Sequence, residues 1–200
     1  NNQFTTEEGR TIRIPATLLI SGMGLIEDVA RCVTMDAKHA GHVLVQVGDT
    51  QDSVGGSHLL RVAADAPGSR ALPVTDLDRG PRTALAVARA IAAGQVYAAH
   101  DCSEGGVLVA AAEMAFAGGI GLDLELDPVA DSMAVACFSE TPSRYLLEVC
   151  PNGLDALAQS LGDVSHRVIG TFTDACCLRA GTVDLSLDAL YDAWSNGMRI

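Results

Sequence analysis

The sequence predicts an α+β sandwich, a mixed β-sheet with helices packed against it. Three observations predict it. Hydrophobic residues make up 48% of the 200, enough for a proper core. Short β-branched or alternating runs interleave with segments of helical spacing. Toward the end some strand-like runs follow one another directly, so strand directions should be mixed.

Taken in order, residues 16–22 (Ala-Thr-Leu-Leu-Ile-Ser-Gly) read as a strand ended by glycine, and 26–33 as a short amphipathic helix with acids in its first turn. A polar linker, 34–41, leads to the β-branched strand 42–47. A Gly-rich loop, 48–57, and a Pro-containing polar stretch, 64–75, come next. Residues 80–93 have helical spacing, with Ala84, Leu85, Ala88 and Ile91 on one side and Gly94 as the stop. The short strand 96–99 runs into His100-Asp101-Cys102-Ser103-Glu104-Gly105-Gly106, and a strong helix follows to about Ala117. Residues 120–126 alternate, which puts Ile120, Leu122, Leu124 and Leu126 on the core side. Further expectations are a helix at 127–137, strand 144–149, helix 154–161, and strands 168–172 and 176–179. A closing helix, 186–196, is capped by Ser186.

The formal net charge is −12, and Lys38 is the only lysine. No basic cluster exists to follow a nucleic-acid backbone or an anionic membrane, so neither partner is expected. The longest apolar stretches are interrupted by Glu113 or by arginines, and no membrane span fits. The six cysteines form no C-x-x-C pair, and Cys176 and Cys177 are adjacent. They read as reduced, mostly buried thiols of a cytoplasmic protein. His39, His42 and His166 read as surface or satisfied histidines, and Tyr191 and Trp194 as core. The chain starts without methionine, as expected of a piece of a larger protein.

Three segments carry candidate chemistry. The first is 100–106, between a strand and a helix. Asp101 is placed to hold Mg²⁺ while Ser103 and the amides of Gly105 and Gly106 hold phosphate oxygens. A plain capped helix start reads the same residues equally well, with Ser103 as cap and Asp101 and Glu104 complementing the dipole. The second is Gly55-Gly56-Ser57-His58, either a phosphate nest or a surface turn before a helix; no lysine makes it a P-loop. The third is Phe138 to Arg144, where Ser139, Glu140 and Arg144 either meet a polar substrate or Glu140 and Arg144 pair across the turn. No catalytic residue is assigned, because no Ser-His-Asp or Cys-His arrangement assembles.

Several of these pieces occur together in one family. His100-Asp101-x-Ser103-x-Gly105-Gly106 is followed by Ala112-Glu113-Met114-Ala115-Phe116-Ala117-Gly118. Upstream stand Thr17 to Ser21, Glu27-Asp28-Val29 and Val33-Thr34-Met35-Asp36; downstream stands Phe138-Ser139-Glu140 with Ser143-Arg144. In this order they resemble the C-terminal part of the synthetase region of the phosphoribosylformylglycinamidine synthase family. The D-x-S-x-G-G part alone is shared with aminoimidazole ribonucleotide, thiamine-phosphate and selenophosphate enzymes.

The resemblance implies that residues 1–37 are the tail of an N-terminal-type synthetase domain. Residues 38–200 would be the C-terminal-type domain, a sandwich partly resembling a ferredoxin-like fold. It implies an ATP-dependent ligase joining formylglycinamide ribonucleotide and glutamine-derived ammonia, with ADP and phosphate released. Phosphorylation activates the amide oxygen, and ammonia displaces the phosphate. By the same resemblance Asp101 is a Mg²⁺ ligand, Ser103 a nucleotide contact, and the cofactors are Mg²⁺ and ATP. Its site is either the working one or an auxiliary one. The expected partners are the remaining synthetase domains and a glutaminase domain or subunit. The family's catalytic histidine would lie outside these residues. Two alternatives stay open: a non-catalytic scaffold with a structural nucleotide, and a sister enzyme of the superfamily.

Overall fold

A computed structural model describes residues 3–13, 19–26 and 28–197. The chain forms two compact units, Asn1–Ala30 and Arg31–Ile200. In the first, β1 (Gln3–Thr5) and β2 (Thr11–Arg13) pair antiparallel as a small hairpin. The strand expected at 16–22 is absent from its described part, 19–22, while 16–18 lie outside the described residues. Of the expected helix 26–33, in which Glu27 lies outside the described residues, the described part forms a single 3₁₀ turn, Val29–Arg31, which buries nothing. A short amphipathic segment with no buried face lacks the packing that sustains most helices.

The second unit holds β3 (Val43–Val47), the one-turn helix α1 (Leu59–Val62), α2 (Arg79–Ala92), β4 (Ala98–Asp101) and α3 (Gly106–Gly118). These are followed by β5 (Gly121–Leu124), α4 (Met133–Phe138), β6 (Tyr145–Val149) and α5 (Leu154–Leu161). Last come β7 (His166–Thr173), β8 (Cys177–Ala180), β9 (Val183–Ser186) and α6 (Leu187–Asn196). Seven strands make one sheet in the order β4-β6-β3-β7-β5-β8-β9. Every pairing is antiparallel except β5 with β8. The mixed sheet with packed helices is therefore as the sequence predicts.

One face is covered by α3, and the other is covered at β3 and β6 by α2 and α5, which is why β3 and β6 read as near-continuous apolar runs while β5 alternates. Alternate residues serve opposite faces. Leu44, Leu146, Leu122, Ile169 and Phe172 join one core with Val107, Ala111, Met114 and Ala115 of α3. Val45, Val47, Leu147 and Val149 join the other with Ala86, Val87 and Ala90 of α2 and Leu157 and Leu161 of α5. α3 is apolar nearly all round because α4 and α6 also pack on it.

Several expectations shift. The buried side of α2 is Thr83, Ala86, Val87 and Ala90, and Leu85 is exposed. Where all residues are small, one leucine misleads the choice of face. Residues 127–132 are not helical: Ala130 and Asp131 adopt positive φ, and the helix begins only after Ser132, whose Oγ accepts from the Val135 N–H. Ser186 caps α6 as expected, accepting from the Ala189 N–H. β9 is an additional strand. It has no buried residue and pairs with β8 across a turn at Gly181. Tyr191 and Trp194 are about half exposed and lie against Phe116. Only Cys102 and Cys137 are buried; Cys32 and Cys176 are exposed. Burial pushes the Cys102 thiol up to about 12, so it is no nucleophile.

Candidate functional site

The D-x-S-x-G-G turn sits at one edge of the sheet, where β4 ends at Asp101 and α3 begins at Gly106. The Asp101 carboxylate is open to solvent. One oxygen accepts from Ser103 Oγ at 2.8 Å; the other lies 3.3 Å from His100 Nδ1. The Ser103 hydrogen bond, helped by the residue's own backbone N–H and then by the nearby His100, holds the carboxyl below its usual range against partial burial. Ser103 thus serves the aspartate and does not cap the helix. The cap position belongs to Gly105, in a left-handed conformation.

Both glycines are required by shape. Gly105 and Gly106 have φ near +80° and +70°. A Cβ at Gly106 would stand 2.6 Å from the Ser139 carbonyl oxygen and 2.8 Å from that of Cys137. This close approach docks the turn on the end of α4 and the loop after it. Their amides are not free: Gly106 N–H donates to Ser103 O at 3.2 Å, and Gly105 N–H to Glu140 Oε1 at 2.9 Å.

Glu140 draws the three candidate segments together. The same Oε1 accepts from the His58 backbone N–H at 2.8 Å and faces His58 Nδ1 at 3.2 Å. Burial pushes this carboxyl up, but the Gly105 and His58 hydrogen bonds outweigh it and hold it below its usual range. Its expected partner, Arg144, is elsewhere. Arg144 is buried and donates to Thr141 O at 3.0 Å, to Thr50 Oγ1 at 2.8 Å and to Ser139 O. It therefore braces the loop from inside. Ser139 is fully buried as well, and its hydroxyl donates to Ser53 O at 2.7 Å. Sequence reasoning missed the His58–Glu140 contact, because the partners are 82 residues apart and neither segment marks the other.

His42 also has an unforeseen partner. Its Nδ1 lies 2.8 Å from Oε1 of the fully buried Glu148, which also accepts from the Lys38 and His39 amides. Among the described residues no group of three or more His, Cys, Asp or Glu is gathered to hold a metal ion. No helix there is long and apolar enough to cross a membrane.

The sequence model described as AIR synthase related protein, C-terminal domain, matches residues 39–180. The chain belongs to the AIR synthase related family. Among its relatives are two proteins named phosphoribosylformylglycinamidine synthase subunit PurL. That of Alkaliphilus metalliredigens is 34% identical over 169 residues, covering 83% of this chain and 22% of the relative. That of Moorella thermoacetica is 37% identical over 174 residues, covering 82% and 22%. The chain thus spans under a third of these relatives' length. T. maritima PurL complexed with ATP has the same fold at TM-score 0.66 and 18% identity, over 81% of this chain and 27% of that one. T. maritima PurL complexed with FGAR gives 0.68 and 20%, over 81% and 30%. The family match ends at β8, so β9 and α6 lie beyond it.

Proposed function

We propose that this chain is part of a cytoplasmic, ATP-dependent ligase of purine biosynthesis. It would convert formylglycinamide ribonucleotide and glutamine-derived ammonia to formylglycinamidine ribonucleotide, releasing ADP and phosphate. Residues 1–37 belong to the tail of the preceding N-terminal-type domain and 38–200 to the C-terminal-type domain. The remaining synthetase domains and a glutaminase domain or subunit complete the enzyme. One observation carries the reading beyond the relatives' names. Asp101 projects an exposed carboxylate, oriented at both oxygens, from a strand end beside the start of α3.

This chain's residues fit Mg²⁺ in one way only. Asp101 supplies a single carboxylate, and Mg²⁺ commonly takes one or two carboxylates with phosphate oxygens and waters. The ion would be shared with a nucleotide, where its charge offsets that of the phosphates. Ser103 orients Asp101. Gly105 and Gly106 let the turn pack on residues 137–139, and with their amides engaged by Glu140 and Ser103 the Asp101 carboxylate is the group left open to a ligand. Glu140 faces the substrate side, while the fully buried Ser139 fixes the loop from within and meets no ligand directly.

A second reading, a non-catalytic scaffold with a structural nucleotide, is favoured by one specific observation. The Gly105 amide and His58 are already bridged by Glu140, which explains the turn without turnover. Release of phosphate from ATP by the complete protein that carries this chain, supplied with ammonium salt, separates the two. The ligase reading expects release that depends on formylglycinamide ribonucleotide and yields one amidine per phosphate. Tightly bound nucleotide without such turnover would favour the scaffold.

A further inference from the structure

We propose that α6 positions the Asp101 carboxylate through a relay of three side chains, Trp194, Glu113 and His100. The role in magnesium–nucleotide binding rests on the function proposed above; the relay itself does not. Trp194 Nε1–H donates to Glu113 Oε1 at 3.0 Å. Glu113 Oε2 faces His100 Nε2 at 3.1 Å. The same ring presents Nδ1 to Asp101 Oδ1, 3.3 Å away, and it bonds both carboxylates when each ring nitrogen carries a proton. Ser103 Oγ holds the other oxygen at 2.8 Å.

Two features set this chain of contacts apart from ordinary surface pairing. Glu113 is the one charged residue of α3, a helix whose Val107, Ala110, Ala111, Met114 and Ala115 are buried. An acid in so apolar a helix is costly unless its oxygens are satisfied, and here each oxygen has a partner. Trp194 is 55% exposed, so burial alone does not explain it. Its ring leans on Phe116 and Tyr191 at 5.7 and 6.1 Å, which aims the N–H at Glu113. The middle of the relay is sheltered: the side chains of Glu113 and His100 are 23% and 16% exposed, against 61% for Asp101. Sheltered groups thus hold a ring that fixes the open one. Groups of this kind behind a metal-binding carboxylate set its direction, and their loss typically costs about 10–100-fold in metal affinity or activity.

The test uses Trp194→Phe and Glu113→Ala in the complete protein. Phenylalanine keeps the aromatic packing and removes only the donor; alanine suits the helix interior. Two readouts are taken: the magnesium concentration for half-maximal nucleotide binding, and the ring ¹⁵N signals of His100 in histidine-labelled protein. The expected result is a half-saturation raised about tenfold by Glu113→Ala and less by Trp194→Phe. The level at saturating magnesium stays within about twofold, and the His100 ring signals shift in both variants. Unchanged ring signals in both overturn the relay. The ring signals need no ligand, so they decide the relay even where the wild-type protein binds no magnesium–nucleotide. Shifted signals with an unchanged magnesium requirement in a binding-competent protein overturn the positioning role.

Discussion

Glu140 accepts two backbone N–H bonds and faces His58 on one oxygen, and so ties the loops at 55–58 and 100–106 to its own. Its folded-state value is depressed. Its contribution to stability is therefore fully present above the ordinary glutamate range of about 4.3 and is lost as pH falls through the lower folded value. Glu140→Gln keeps an acceptor but removes the charge. The melting temperature of this variant should fall less steeply than wild type as pH drops below about 4.3. Parallel acid limbs would deny the carboxylate that role. Gly106→Ala combines positive φ with a Cβ 2.6 Å from a carbonyl oxygen. Denaturant titration should show a loss of roughly 2–5 kcal/mol. A loss under about 1 kcal/mol would mean the turn relaxes freely.

At the level of elements, strands were legible wherever β-branched or alternating residues face a core, as in β3, β5 and β6. α5 was legible as a helix, and α6 as a helix with its Ser186 cap. What misled was context. The Ala-rich α2 offers two similar faces, and contacts with α5 and the sheet choose the one with Ala86 and Val87. This makes a direct prediction. Leu85→Ser should change stability by no more than about 0.5 kcal/mol, as at an ordinary exposed site. Ala86→Leu should cost about 1–3 kcal/mol through overpacking. Thermal melts of the two variants check the assignment, and a reversed order would restore the face built on Leu85. The relation of 55–58, 100–106 and 138–144 was not legible. Each segment reads as a loop by itself, and only the fold brings the Glu140 carboxylate to the other two.

Over the whole molecule, the sheet buries apolar residues on both faces and leaves the D-x-S-x-G-G turn at its β4 edge. A carboxylate there is open to solvent. Asp101→Asn in the complete protein addresses the proposed role most directly. Asparagine preserves the acceptor for Ser103, so the melting temperature without ligand should correspond to a change under about 1 kcal/mol. Losing the anionic ligand should raise the magnesium required for half-maximal nucleotide binding about tenfold, with partial recovery at high magnesium. A magnesium titration of nucleotide binding, wild type beside Asp101→Asn, is the measurement. A shifted magnesium requirement with an intact fold is the expected result; superimposable titrations would reduce Asp101 to a residue of the strand end and contradict its role as a ligand.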